Sequence, residues 1–211
     1  TINNRLGNVS GKGRLRVENG SLPAGFYEEF ATTDGGIFEY SGSGDYYVLG
    51  GINTLNSVEF TGTGSRKLPD GTLRINGNLL IDGPVVNMVE TTALQIGKDL
   101  DFNSGSLELG SESKFVFNGN APQSIGGNQP FTEENSLQQM VVDNTSGVNV
   151  NNDLIINSQL QLVRGPLTPG SGTIHLGASA TAVGASTNSF VNGVMSKAIS
   201  GNEYFSFPVG K

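Results

Sequence analysis

Several residue types that carry chemistry in other proteins are missing or scarce in this sequence. Its 211 residues include no cysteine and only one histidine. Without cysteine the chain can form no disulfide framework, no thiolate metal site and no cysteine nucleophile. Only 15% of the residues are charged, which does not fit a long solvated helix or a charged disordered tail.

Positive charge is scarce as well. The chain has 12 Lys and Arg against 19 Asp and Glu, for a formal net charge of −7 and a pI near 4.6. Nucleic acids and anionic membranes both need a basic surface, so neither partner is expected. No apolar run has the length of a membrane-spanning helix, so we expect no membrane insertion. The first residues also lack the pattern of a secretory signal.

Small polar residues are abundant instead: Gly, Asn and Ser number 31, 22 and 21. They separate short runs in which apolar residues alternate, the period-two pattern of a half-buried strand. Three such pairs lie between residues 73 and 88, and adding 21 to each number gives apolar residues again. The pairs Leu73/Ile75, Leu79/Ile81 and Val86/Met88 correspond to Leu94/Ile96, Leu100/Phe102 and Leu107/Leu109. This period extends over residues 52–117 and is typical of a solenoid.

The spacing within one repeat indicates the kind of solenoid. Strands begin six to eight residues apart and are separated by corners such as Asn76-Gly77 and Asp82-Gly83. Gly and Asn accept positive φ at such corners, and intervals this short do not fit helices. The sequence therefore predicts an all-β fold, a three-sided parallel β-helix with about 21 residues per turn. Right-handed coiling is expected by analogy with other crossovers between parallel strands.

The strength of the periodicity divides the chain into three predicted segments. Residues 1–51 are expected to form less regular solenoid turns or a cap, and residues 52–189 the β-helix, with an irregular loop near 118–134. Residues 190–211 are expected to be the last turn or the start of a following module. Four corner residues are expected to form amide hydrogen bonds between turns: Asn76, Asn103, Asn118 and Asn157.

Three runs in the second half of the chain resemble a known group of proteins. Residues 140–154 (MVVDNTSGVNVNNDL) resemble the L-V-V-N-N-S-A-G-V-T-L-N-S-D-L run of large repetitive cell-surface proteins of Bacteroidota. Residues 117–125 (FNGNAPQSI) are similar to their F-N-G-T-A-x-Q-T-I. Residues 189–197 and 205–211 (SFVNGVMSK and FSFPVGK) are similar to their S-F-V-N-G-x-M-x-K and F-x-F-P-V-G-K. The resemblance covers about residues 94–211.

This resemblance implies secretion by the type IX route, display at the cell surface and a role in adhesion or gliding motility. In the family the last run is followed by more sequence, so the chain is expected to be a fragment of a larger parent chain. Its expected partners are the rest of that chain and either surface polysaccharide or the secretion machinery. The predicted function is a non-catalytic stalk or display segment of an extracellular adhesin. A carbohydrate-active enzyme, a carbohydrate-binding module and a trimeric phage or secretion fibre are the alternatives.

No catalytic residues are predicted. Glu59, Leu80 and Asp101 are expected in one outward column, which separates the two acids by about 9.6 Å at ~4.8 Å per turn. This separation is near the upper limit for an inverting glycosidase. No Arg or Lys is expected in the column, so two solvated acids are the favoured interpretation. His175 is expected to point outward, with no Ser-His-Asp arrangement available.

Tyr40, Tyr46 and Tyr47 are the candidate binding residues, because aromatic rings stack on sugars. The competing interpretation is that they cap the open end of the coil stack. Corners such as Asp45 and Asp82-Gly83 have oxygens that could hold calcium, but no calcium-binding repeat is present. No cofactor or metal ligand is therefore predicted, and calcium is left open. Four outward apolar residues are either scattered or form one packing face: Leu80, Val116, Val141 and Ile155.

Overall fold

The computed structural model describes residues 5–20, 22–48, 52–202 and 204–210, which consist almost entirely of strands and turns. The helical element within these residues is a single 3-10 turn, Glu133–Asn135. In chain order the strands are β1 (Arg5–Asn8), β2 (Arg14–Val17), β3 (Ala24–Phe26), β4 (Ile37–Tyr40), β5 (Tyr46–Tyr47), β6 (Thr54–Leu55), β7 (Ser57–Thr61), β8 (Ser65–Lys67), β9 (Gly71–Ile75), β10 (Leu79–Met88), β11 (Thr91–Ile96), β12 (Leu100–Leu109), β13 (Lys114–Phe117), β14 (Gln123–Gly126), β15 (Leu137–Asp143), β16 (Val148–Val150), β17 (Leu154–Arg164), β18 (Leu167–Pro169), β19 (Ile174–Leu176), β20 (Thr181–Val183) and β21 (Met195–Lys197).

Two parallel sheets form the sides of the molecule. Sheet 1 has a main arm in the order β18-β16-β14-β12-β10-β7-β4-β2 and a side arm in which β5 pairs with β8 and β8 with β10. Sheet 2 has the order β21-β19-β17-β15-β13-β11-β9-β6, with β20 on β17. Neighbouring strands come from successive passes of the chain, so the fold is a β-solenoid of about nine turns with roughly 21 residues each. The predicted all-β solenoid is confirmed, and its length is roughly 43 Å at ~4.8 Å per turn.

The 21-residue period of the sequence is the pairing register of the strands. Leu79 pairs with Val58 on one side and with Leu100 on the other, one period away in each direction. Leu94 pairs with Leu73 at the same offset. Inward residues of successive turns stack into columns that make up the core. Two such columns, each at most 2% exposed, are Phe38, Val58, Leu79, Leu100, Ile125 and Val150 on sheet 1, and Leu55, Ile75, Ile96, Phe117, Val142 and Leu162 on sheet 2.

Glycine forms a column of its own at the corner between the two arms of sheet 1. Gly42, Gly62 and Gly83 have φ of 88°, 80° and 119°, a region that side chains rarely adopt. A Cβ on Gly62 would lie 2.2 Å from the carbonyl oxygen of Gly42. Both the backbone conformation and the close stacking of turns therefore require glycine there.

Short polar side chains extend the hydrogen-bond ladder beyond the strand starts. Ser57 Oγ accepts from the N–H of Asn78 at 3.2 Å, Asn78 Oδ1 from Asp99 at 3.2 Å, and Asp99 Oδ1 from Ser124 at 2.7 Å. Each bond joins residues one turn apart, which explains the wealth of Asn and Ser at these positions.

The corner asparagines behave as expected in two of the four cases. The Asn76 amide donates to the Ala31 carbonyl at 3.2 Å, and the Asn157 amide to Ser136 Oγ at 2.7 Å. Within the described residues Asn103 and Asn118 have no side-chain hydrogen bond. The bonds that Asn76 and Asn157 form between turns thus have a backbone carbonyl and a hydroxyl as acceptors.

Residues 118–134, which the sequence predicts to be an irregular loop, contain β14 as well as the start of the 3-10 turn. The turns on either side of β14 are longer than elsewhere. Leu100 pairs with Ile125 in sheet 1, and Ile125 pairs with Val150, so both offsets exceed the period of the first half by four positions. The loop is therefore a longer turn that still contributes a strand to the sheet.

In each half one long strand bends around a corner of the solenoid, and this strand belongs to a different sheet on the two sides of the longer turn. In the first half β10 bends, since residues 79–82 pair with β7 and residues 85–87 with β8. In the second half β17 bends, since residues 154–156 pair with β19 and residues 159–161 with β20. The continuous corner of the solenoid therefore moves from sheet 1 to sheet 2.

Both ends of the described chain continue the solenoid. At the amino-terminal end β2 pairs with β4 in the main arm, while β1 and β3 form a separate two-stranded sheet. At the other end Val191 bridges to Leu167 and to Val209, so residues 190–202 and 204–210 contribute to a further turn. Within the described ranges, the chain has no helix with the length and apolar character needed to cross a membrane.

Candidate functional site

Four charged side chains meet on the outer surface of the main arm of sheet 1. Arg14 Nη1 lies 3.1 Å from Glu39 Oε2, and Arg14 Nη2 lies 3.0 Å from Glu59 Oε1. Arg16 Nε lies 2.9 Å from Glu39 Oε2. The register places Arg16, Glu39 and Glu59 in one column. The expectation that this column holds no Arg or Lys is therefore wrong, because β2 contributes one that precedes the region of exact 21-residue spacing.

Glu39 is the centre of this charged cluster. Its side chain is 5% exposed. Burial raises the pKa of the carboxyl, but hydrogen bonds from Arg16, Arg14 and Thr61 lower it, and the net pKa lies below the ordinary value. The bond to Glu39 in turn raises the pKa of the exposed Arg14. Both carboxylates are paired with arginine, so the cluster ties three successive turns together and provides no free general base.

The three candidate tyrosines lie in three different environments. Tyr40 is 1% exposed and stacks between Val17 and Phe60 in an inward column, where it cannot contact a polysaccharide. Burial raises its pKa well above the ordinary value. Tyr46 is half-buried, and its hydroxyl donates to the Ser41 carbonyl at 2.6 Å. Of the three, only Tyr47 presents its ring to solvent, with 52% of its surface exposed.

Tyr47 begins an outward column on the side arm of sheet 1. Lys67 pairs with it one turn further, and Asn87 and Glu108 follow. The Lys67 ammonium lies 4.8 Å from the centre of the Tyr47 ring and 3.3 Å from its hydroxyl. The Asn87 amide donates to Glu108. This column combines an exposed aromatic ring with ammonium, amide and carboxylate groups at the spacing of the turns.

Arg66 lies in the core, at an inward position of β8 where the pattern otherwise has apolar residues. It is 0% exposed, and its guanidinium donates to the carbonyls of Gly42 and Gly44 at 2.9 Å and of Thr61 at 2.8 Å. The carbonyls of Tyr40 and Ser65 accept two longer bonds. Five carbonyl dipoles thus replace a carboxylate partner, and Arg66 holds the glycine corner in place rather than binding a ligand.

The acidic corners considered for calcium bond within the protein. Asp45 Oδ1 accepts from the Ser65 N–H at 2.7 Å, and Asp82 Oδ1 accepts from Ser104 Oγ at 2.7 Å. Among the residues with described positions, no group of three or more His, Asp or Glu side chains converges in a way that could hold a metal ion.

The four outward apolar residues do not form one face. Val116 and Val141 pair directly on sheet 2, whereas Leu80 lies on the main arm of sheet 1 between Glu59 and Asp101. Ile155 pairs with His175 on another side of the second half. Only Val116 and Val141 are therefore neighbours.

An open cleft of about 690 Å³ on the second half contains the histidine. His175 and Ser196 are paired on β19 and β21, and Ser196 Oγ lies 2.7 Å from His175 Nδ1. On the opposite side of the ring, Asp153 Oδ1 lies 3.9 Å from His175 Nε2. The sequence does not predict that a Ser, a His and an Asp meet here, but the structure brings these three side chains together across three turns, with a hydrogen bond between Ser196 and His175 and a longer contact to Asp153.

The spacing of Asp153, His175 and Ser196 in the sequence is sufficient to predict that they lie on successive turns. Ser196 follows His175 by one 21-residue period, and Asp153 precedes it by one position more than a period. Extending the period beyond residue 117 would have placed the three side chains together. No signal in the sequence distinguishes Arg66 as a buried residue except its position one turn before Val86.

Comparison with known proteins gives no relative: no protein-family model, curated protein or solved structure matches this chain.

Proposed function

We propose that this chain is a rigid stalk or display segment of an extracellular adhesin at the cell surface, exported by the type IX route. The observation that carries the proposal is the continuous stack of turns, in which each strand of the two main sheets pairs with the strands of the adjacent turns. Such a stack has the mechanical character of a rod, and its length is set by the number of turns. The resemblance of residues 94–211 to repetitive Bacteroidota surface proteins supports the same function.

The polar side chains support this proposal through the bonds that they make. The charged cluster of Arg14, Arg16, Glu39 and Glu59 joins three turns. Arg66 and the ladder from Ser57 to Ser124 also bond across turns. Side chains that bond across turns stiffen the stack, and few of them remain free to act on a substrate.

Surface labelling of cells that express the full-length parent protein tests the proposal. Intact cells would be treated with a protease, and an antibody against residues 52–117 would detect what remains. We expect the epitope to be lost from intact cells and to persist when the type IX machinery is disrupted. An epitope that is protected from protease in intact wild-type cells would refute surface display.

A carbohydrate-binding role is the second candidate, and the Tyr47 column favours it. The exposed ring offers a stacking surface, and Lys67, Asn87 and Glu108 offer hydrogen-bonding groups along the same line. Affinity electrophoresis in gels that contain neutral or acidic polysaccharides tests this role. If the column binds sugar, Tyr47→Ala should abolish the retardation. Phe26→Ala, which removes a 62% exposed ring outside the column, should have no effect. Equal retardation of both variants would exclude the column as the binding surface.

A further inference from the structure

We propose that Ser196 is a nucleophilic serine, with His175 as its general base, and that the cleft around it accepts short-chain carboxylic esters. The proposal goes beyond the stalk function and does not depend on it, because a reactive site can be carried on a structural fold. Its first support is the 2.7 Å distance from Ser196 Oγ to His175 Nδ1, which is within the range for direct proton transfer between a nucleophile and its base.

Asp153 determines which ring nitrogen is free to act as the base. Its carboxylate lies on the Nε2 side of His175, at 3.9 Å, and a nearby negative charge favours a proton on that nitrogen. The lone pair of Nδ1 then faces the Ser196 hydroxyl. Once His175 has accepted the proton, the same carboxylate stabilises the imidazolium. These are the roles of the acid and base in a Ser-His-Asp triad, with the two ring nitrogens exchanged.

The position of Asp153 is itself fixed by the solenoid. Its Oδ1 accepts a hydrogen bond from the N–H of Thr173 at 2.8 Å, one turn further along. His175 and Asp153 are 40% and 54% exposed, so water screens their attraction. Asp153 is therefore a positioning residue that contributes less than the direct pair of Ser196 and His175.

The walls of the cleft indicate the substrate class. Ile155, Ala178 and Ala198 give it aliphatic walls beside the polar Glu133, Asn157 and Lys197, and its volume of about 690 Å³ is ample for a short acyl chain with its alcohol. The cleft is open on one side, so the alcohol could belong to a larger molecule that stays outside. An acyl ester on a polymer and a small free ester have the same reacting group.

The reaction proceeds in two balanced steps. Ser196 Oγ attacks the ester carbonyl carbon, and its proton moves to His175 Nδ1 as the new C–O bond forms. The bond to the alcohol oxygen then breaks, and the alcohol leaves with the proton from His175. Water attacks the acyl-Ser196 in the same way, which releases the carboxylic acid and restores the serine hydroxyl. No redox change or metal is needed.

Covalent labelling and ester hydrolysis test the proposal with the purified chain. The wild-type chain would be treated with a fluorophosphonate probe, and the labelled peptide identified by mass spectrometry. Initial rates on p-nitrophenyl acetate would be measured in parallel. We expect the probe on Ser196 and a hydrolysis rate that falls roughly tenfold or more in both Ser196→Ala and His175→Gln. The exposed serine variant Ser179→Ala should keep both properties.

Two results would overturn the proposal. The first is hydrolysis that persists in Ser196→Ala but disappears in His175→Gln, which would mean that the exposed imidazole reacts by itself. The second is an absence of labelling at Ser196 in a wild-type chain whose thermal melt shows that it is folded. Melting curves of each variant separate a loss of reactivity from a loss of structure. Asp153→Asn should shift the pH profile of the rate and leave labelling at Ser196 detectable.

Discussion

The two halves of the solenoid both bury an inward column of apolar residues, but they differ in turn length and in the sheet within which the long strand bends. In the first half, the turns from β7 to β13 pair at offsets of 20 or 21 residues over most of their length, and the bent strands, β10 and β12, turn the corner within sheet 1. In the second half the offset varies, since Val148 pairs with Gln123 on one side and with the nearer Leu167 on the other. There the bent strand, β17, turns the corner within sheet 2. Both halves keep a continuous inward column of apolar residues. The inward register must therefore be kept from turn to turn, while turn length and corner are free to vary.

The corner moves from sheet 1 to sheet 2 at the 3-10 turn, which lies in space between β12 and β17. Asn135 Oδ1 accepts from the Leu107 N–H at 2.9 Å, and Phe131 bridges to Leu154. The ring of Phe131 packs 5.2 Å from that of Phe102. These contacts fill the side of the solenoid that no regular strand covers in this turn. We infer that Phe131 and the 3-10 turn make this exchange of corners possible.

Deletions within the first half are expected to have the largest effect, and they test whether its register is fixed. Removing residues 73–93, one complete turn of the first half, should leave a folded protein because Thr72 then joins Leu94 in the same register. Removing residues 73–92 should strongly destabilise it, because a shift of one residue turns inward side chains outward. Thermal unfolding followed by circular dichroism distinguishes the two. A deletion of 73–93 that fails to fold would contradict the register assigned to the first half.

A deletion in the longer turn makes the opposite prediction. Removing Thr132–Asn135 takes out the 3-10 turn and the residue before it. If the 3-10 turn serves the corner exchange, this variant should lose cooperative unfolding of the second half, because it loses the Asn135 bond to Leu107. The same thermal melts measure the effect. A variant that melts like the wild type would mean that the 3-10 turn and the corner exchange are unrelated.

Buried polar anchors give the next largest effect, and one from each half can be compared. Arg66 in the first half donates to five backbone carbonyls. Asn144 in the second half is 0% exposed and donates to the Ala121 carbonyl and to Gln123 Oε1. Each unsatisfied buried group costs about 1–3 kcal/mol. We therefore expect Arg66→Met to lower the free energy of unfolding by about 3 kcal/mol or more, and Asn144→Leu by about 2 kcal/mol.

Denaturant unfolding measures both losses, with exposed residues of the same type as controls. Arg74→Met and Asn149→Leu change outward residues of sheet 2 and sheet 1 and should each stay within about 0.5 kcal/mol of the wild type. An Arg66→Met variant as stable as the Arg74 control would show that the carbonyls at the glycine corner do not need a donor.

The smallest effect concerns pH. The pKa of Glu39 in the folded chain lies below its ordinary value of 4.5. The ionised cluster therefore stabilises the fold above pH 4.5, and this stabilisation is lost as the pH falls through the folded-state pKa. Glu39→Gln should lower the Tm at pH 7, and the difference should shrink towards pH 3. Asp143→Asn, which breaks one exposed ion pair in the second half, should change the Tm little at any pH. A pH-independent difference for Glu39→Gln would contradict the ionic role of the cluster.

The sequence predicts the regular half well because inward residues there repeat at one spacing. Leu79 and Leu94 could be placed from periodicity alone, and so could the columns that contain them. The corner exchange could not, since it depends on how Phe131 packs against Phe102 and not on any local pattern. The burial of Arg66 could not be predicted for a related reason. A charged residue is expected to point outward, and the cost of burying this one is offset only by the carbonyls of the glycine corner, which the sequence does not place. The Ser196 and His175 pair was missed because the period was not carried into the second half.

The absence of cysteine allows the register itself to be measured. Directly paired strands bring Cα atoms about 5 Å apart, close enough for a disulfide. We expect Val116→Cys with Val141→Cys, which replace two directly paired residues, to form a disulfide under mild oxidation. Val116→Cys with Leu137→Cys, the pair that the period of the first half would bring together, should remain reduced. A disulfide in the second pair and none in the first would contradict the change of register between the two halves.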